Sequence, residues 1–132
     1  MRLLADTNIF IEVLLNQASA ADARTFLENR KGHELPITDF ALHSIGLLLF
    51  RHKQYQVFGQ FLQDVIDRAG ISTVSLDAME MDAIVNVAAK FKLDFDDAYQ
   101  YCAAQKHGLR IVSFDADFDR TPEGRLLPSV AL

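Results

Sequence analysis

The sequence predicts an α/β fold, a three-layer sandwich in which a parallel sheet of about four to five strands is flanked by helices. Three observations lead there. Four short β-like runs stand out, "RLLAD", "ELPIT", "ISTVSL" and "LRIVSF". Between consecutive runs lie about 25 to 40 residues of helical pattern, whereas a hairpin needs only a few residues and a right-handed crossover a dozen or more. The first and last runs both lead into an aspartate, Asp6 and Asp115, which parallel pairing would carry to the same edge of the sheet.

The helices between the strands can be read in order. Asp6 or Asn8 can cap a helix starting near Ile9, and Ser19 can cap one whose apolar positions include Ala23, Phe26 and Leu27, ending near Gly32. A further helix follows Thr38, which marks the strand end, with Asp39 at the helix start as its candidate cap. In "YQVFGQFLQDVIDRAG", Phe58, Phe61, Leu62, Val65 and Ile66 recur at helical spacing, and Gly70 supplies a left-handed stop. Asp77 can cap the next helix, with Met81, Ile84, Val85 and Ala88 as its apolar stripe. The last helix runs from about Asp96 to Lys106 and stops at Gly108; the tail "TPEGRLLPSVAL", with two prolines and a glycine, is expected to wrap the surface without regular structure.

Size and composition narrow the function. At 132 residues a single domain over 1–132 is expected, and no apolar run approaches the roughly 18 residues of a membrane span. The first strand pattern begins at residue 2, so no secretion leader is expected; with Cys102 as the single cysteine, a cytoplasmic setting follows. Cys102 itself, set among small helical residues, reads as core. A net charge of -5 excludes gripping nucleic acid by bulk attraction, so any such contact must be local. Arg51, His52 and Lys53 form the clearest basic patch, with Arg120 near the acidic loop. The histidines read as surface or satisfied side chains, His43 being the one placed beside Ser44. The aromatic residues read as core or interface rather than base-stacking platforms, and Phe118 as a plug anchoring the last loop.

The acids carry the chemistry. Asp6 and Asp115 belong to the carboxyl edge of the sheet, Asp97 to the first turn of the helix before the last strand, and Asp117 to the loop that holds Asp115. Two carboxylates about 4 Å apart repel by roughly 4 kcal/mol at an effective dielectric near 20, an objection that a divalent cation removes. Aspartate oxygens without Cys or His at ligand spacing favour Mg²⁺ or Mn²⁺. Such ions polarise a phosphoryl oxygen, make hydroxide available and stabilise a leaving oxygen, which suits phosphodiester hydrolysis. The bland readings are that Asp6 only caps a helix and that Asp94, Asp96 and Asp97 only favour a helix dipole.

With these residues in view, the chain resembles the PIN-domain family, small metal-dependent ribonucleases that include the VapC-like toxins of toxin–antitoxin pairs. "LLADTNIFIEVLL" is similar to the family's opening strand, "FDDAYQYCAAQKHG" to its helix with the third acidic position, and "LRIVSFDADFDR" to its closing strand and loop. The resemblance implies Asp6, Asp97, Asp115 and Asp117 as metal ligands, the first three catalytic, with Thr7, Asn8 and Ser113 in support. It implies an RNA substrate, an antitoxin partner and a homodimer, the last through the apolar helices around "FALHSIGLLLF" and "YQVFGQFLQDVI". At one position the pattern is broken: the family's glutamate in the helix after the second strand falls on Ser44, a neutral supporting hydroxyl. An alternative is therefore a catalytically impaired PIN-like module that binds RNA or protein. "SFDADFD" leaves room for a third reading, a phosphatase-like enzyme with an aspartyl nucleophile.

Overall fold

The computed structural model describes residues 2–30 and 35–131. Strand β1 (Leu3–Ala5) runs into α1 (Thr7–Leu14), α2 (Ala20–Glu28), β2 (Ile37–Thr38), α3 (Asp39–Arg51) and α4 (Tyr55–Phe61). Then come a π-helical turn (Leu62–Arg68), β3 (Thr73–Val74), α5 (Asp82–Phe91), α6 (Phe95–His107), β4 (Arg110–Val112) and a 3₁₀ turn (Ala116–Arg120). All the strand pairs are parallel: β1 lies on β4 and β2 on β3, with β1 and β2 adjacent. The α/β sandwich expected from the strand spacing is the observed architecture.

Alternation along β1 explains the three layers, because successive side chains of a strand point to opposite faces. Leu3 and Ala5 join a core with Phe10, Phe26, Ile37, Ile45 and Leu49 from α1 to α3. Leu4 enters a second core, on the other face, with Ile84, Tyr99, Cys102 and Ala103 from α5 and α6. Phe118 is fully buried in that second core, so it does plug the loop after β4.

Several local expectations need correction. The strands are shorter than the apolar runs, and the "ELPIT" run keeps only Ile37 and Thr38, its Glu34 lying outside the described residues. Gly32, the expected helix stop, also lies outside them; α2 itself ends at Glu28, and Ser19 precedes it without a side-chain cap bond. The "YQVFGQFLQDVI" segment is not one continuous α-helix: its second half widens into the π turn, where Ala69 N–H donates to Asp64 O at 3.0 Å, and only Phe61 of its stripe is fully buried. Asp77 closes a turn with Glu80, each accepting the other's backbone N–H, but α5 starts only at Asp82. In α5 Val85 is 71% exposed, so the stripe turns on Ile84 instead. Gly70 and Gly108 do adopt the left-handed conformation at helix ends. The tail is more ordered than expected, for Leu126 N–H donates to Ile111 O and Ser113 N–H to Leu126 O, adding a parallel bridge beside β4.

Candidate metal centre

Parallel register builds the site. Leu3 lies opposite Arg110 and Ala5 opposite Val112, and Asp6 N–H continues the ladder to Val112 O at 2.9 Å, which sets Asp6 beside Ser113. Asp6 caps α1, its Oδ1 accepting Thr7 N–H at 2.8 Å. The Ser113 hydroxyl donates to Asp6 Oδ2 at 2.7 Å and accepts from Asn8 Nδ2 at 3.0 Å and from Asp115 N–H at 2.9 Å. Asn8 Oδ1 in turn accepts Phe114 N–H. Every hydrogen-bonding direction of that one hydroxyl is used, and it stitches the two strand ends together.

The third acid arrives on α6. Asp94 caps this helix by accepting Asp97 N–H at 3.0 Å, and the first turn then places Asp96 and Asp97 on the wall of a cleft of about 280 Å³. Asp6, Thr7, Asn8, Ser44 and Asp115 line the same cleft, together with Ile11, Phe40, Leu48 and Gln100. Asp97, Asp115 and Asp117 each offer an oxygen within 4.8 Å of the others. Asp6 lies deeper, only 6% exposed, and Ser113 is fully buried behind it. Asp117 differs from the rest in being paired with Arg120 at 2.8 Å. Asp115 Oδ1 accepts Asp117 N–H and so shapes the 3₁₀ turn, while Asp117 pairs with Arg120.

Two side chains took on roles that sequence reasoning missed. Gln100, 1% exposed, donates from Nε2 to Asp6 Oδ1 at 3.0 Å and accepts from the Thr38 hydroxyl at 2.5 Å. Its signal was the i, i+3 spacing from Asp97, which puts both on one face of α6. Phe95 was read as core or interface, yet it is 51% exposed and sits against Phe40 at the rim, ring centroids 5.7 Å apart. Asp39 does not stand in for the absent glutamate. Its Oδ1 accepts from Phe40 N–H and from the Tyr99 hydroxyl, both at 2.7 Å, while Thr38 serves as the cap of α3 through Ala41 N–H. His43 is exposed and lines a different, apolar groove.

The electrostatics follow from crowding. Burial holds the Asp6 carboxyl above its ordinary value in spite of three donors, and Asp115 adds to the rise. Asp97 is pushed up to about 8, chiefly by burial and then by the charges of Asp115, Asp94 and Asp6. Such a set of carboxylates fits a divalent cation on two counts. The donors converging on the cleft are oxygens, with neither Cys nor His among the lining residues, and the proton retention of Asp97 reflects burial beside other acids without a counter-charge. Because Asp97 holds a proton in the folded chain that an unfolded chain releases near pH 4, the metal-free fold is favoured at low pH and loses stability as pH rises toward about 8. Thermal unfolding in EDTA should therefore show Tm falling across that window, and Asp97→Asn should remove much of the fall; a flat native profile would contradict the crowding.

Comparison with known proteins agrees with this fold. No curated protein matches the chain in sequence. Among solved structures, the sarcin-ricin-loop-cleaving toxin VapC20 of Mycobacterium tuberculosis is similar with a TM-score of 0.79 at 14% identity, over 96% of this chain and 99% of that one. A toxin–antitoxin complex from Klebsiella pneumoniae gives 0.75 at 21% identity, over 96% and 97% of the two chains. FitAcB from Neisseria gonorrhoeae gives 0.70 at 20%, again over 96% and 97%. The PIN domain family model matches residues 3–124, nearly the whole length, and the chain belongs to the PIN-domain family.

Proposed function

We propose that this chain is a Mg²⁺- or Mn²⁺-dependent endoribonuclease, the toxin of a toxin–antitoxin pair, acting in the cytoplasm as a single domain. The observation that carries the reading is the meeting of Asp6, Asp97 and Asp115 on one cleft although they come from distant parts of the chain. Asp6, Asp97, Asp115 and Asp117 are the residues that would hold the ion, with Thr7, Asn8, Ser44 and Ser113 in support. When bound, a divalent cation supplies charge neutralisation at a phosphoryl oxygen and makes water a stronger acid.

The chain's own groups prepare that chemistry. Ser113 and Gln100 fix both oxygens of Asp6, so its carboxylate is oriented before any ligand arrives. Asp97 keeps its proton to about pH 8 while the cleft contains only acids, and releasing it gives an anionic oxygen beside those of Asp115 and Asp117. The wall opposite α6 is neutral, made by Ser44 and Leu48 of α3. Its lack of a carboxylate favours a second reading, a PIN-like module that binds RNA or protein with little turnover.

Two partners belong to the proposal. An antitoxin protein is supported by the toxin–antitoxin complexes among the structural neighbours. A second copy of the chain is supported by an apolar groove on the outer side of α3, where Leu47 is 60%, Phe50 52% and Tyr55 54% exposed around Gly46 and Phe58. The helices of the described residues include none long and apolar enough to cross a membrane.

Three measurements test these statements. Single-stranded RNA should be cut in Mg²⁺ or Mn²⁺ but not in EDTA, with turnover reduced roughly 100-fold or more by Asp6→Asn or Asp97→Asn; undiminished cutting in either condition defeats the nuclease reading. Calorimetry should find Mn²⁺ bound about tenfold or more tightly after Ser44→Glu, since a charge is added to the neutral wall. Equal affinity would mean that this wall does not face the ion, and brisk native turnover would dismiss the impaired module. Sedimentation should give a dimer that Leu47→Lys with Phe50→Lys converts to monomer; a native monomer refutes the second-copy interface.

A further inference from the structure

Helix α3 divides its surface among three tasks. Ala41, Ile45 and Leu49 enter the core, His43, Gly46, Leu47 and Phe50 line the outer apolar groove, and Phe40, Ser44 and Leu48 form one wall of the acidic cleft. With 100° per residue, Arg51 falls about 20° from Phe40 and from Ser44, on the cleft face and about 10 Å beyond Ser44. Arg51, His52 and Lys53 are all exposed, and among the described residues no ion pair uses them. The cleft runs from an acidic end at Asp96, Asp97 and Asp115 to Ser44 and Leu48, and the same face of α3, continued by helical register beyond the cleft lining, leads to Arg51.

We propose that Arg51 is a substrate-strand contact: a single-stranded RNA lies along α3 with one phosphate at the acidic end and a phosphate further along the strand on the Arg51 guanidinium. The inference rests on the ribonuclease reading and names the path by which the strand reaches that site. Charge complementarity selects the occupant. A chain of net charge -5 repels a polyanion except where basic side chains are concentrated, and Arg51, the last residue of α3, falls by register on the helix face that walls the cleft. A fork of guanidinium donors suits a phosphate. The cleft is bounded by Asn8 and Ile11 of α1 and by Phe40, Ser44 and Leu48 of α3, at about 280 Å³, and an unpaired strand can bring its backbone along such a wall. Arg51 also lies in the last turn of α3, where a cation favours the helix dipole. Such a local role would change Tm and leave the salt dependence of RNA binding as it was.

That difference decides the experiment. A short fluorescein-labelled single-stranded RNA of mixed sequence is titrated with the full chain by anisotropy, with Ca²⁺ as the divalent ion, from about 50 to 200 mM KCl. Arg51→Gln is expected to weaken binding several-fold and to reduce the slope of log K against log salt by about 0.7, the share of one phosphate on a single strand. Arg51→Glu should weaken it further, while Arg68→Gln on the remote π turn, whose partner is Asp64, should leave both quantities unchanged. Native binding with an Arg51→Gln variant of equal affinity and slope overturns the strand path alone. If the native chain neither binds nor cuts the RNA, the ribonuclease reading falls and takes the path with it.

Discussion

The parallel pairing of β1 with β4 is the constraint on which the rest of the molecule depends. It aligns residues separated by more than 100 positions, so that Asp6 stands beside Ser113 and the loop carrying Asp115 opens next to the start of α1. A slip of one residue would turn Leu4 into the wrong core and rotate Asp6 away from the Ser113 hydroxyl. Burial of Leu3, Leu4, Ala5, Ile111 and Val112 holds the register, because each face of this short ladder is covered by helices. Core packing on both faces thus serves as the positioning device for polar groups at the strand ends.

Those polar groups divide into holders and held. Ser113, Gln100, Asn8 and Thr38 are neutral, buried or half-buried, and are linked by hydrogen bonds to one another, to Asp6 and to nearby backbone N–H groups. Burial, and then the charges of its acidic neighbours, is why Asp97 retains its proton to about 8. Ser44 on the facing wall is neutral and adds no further charge to that group of acids.

Much of this was legible from residue order, though not evenly. Parallel topology followed from the long separations between strands, and strand-end acids from the position of Asp6 and Asp115 after apolar runs. Gly70 and Gly108 gave reliable stops because a positive φ selects glycine. Side-chain partners were harder to see. Gln100 looks like any helical polar residue until the fold sets Thr38 and Asp6 beside it, and Phe95 looks like core until its helix start is found at the rim. Apolar spacing could not tell that the segment after α4 would widen at Leu62, since π and α turns share most of their stripe. Val85 was misplaced for a related reason: a helix of ten residues packed along one narrow line needs few apolar positions, and Ile84 occupies that line.

Leu126 gives the sheet a quiet safeguard. By pairing with Ile111 and Ser113 it occupies the outer hydrogen-bonding edge of β4, the flank nearest the acidic loop. An open flank of that kind is a template for strand addition from another molecule, and here it is closed from within by the residues that follow Gly124. The tail that looked like surface wrapping is thus a barrier against unwanted sheet extension next to the most highly charged part of the protein.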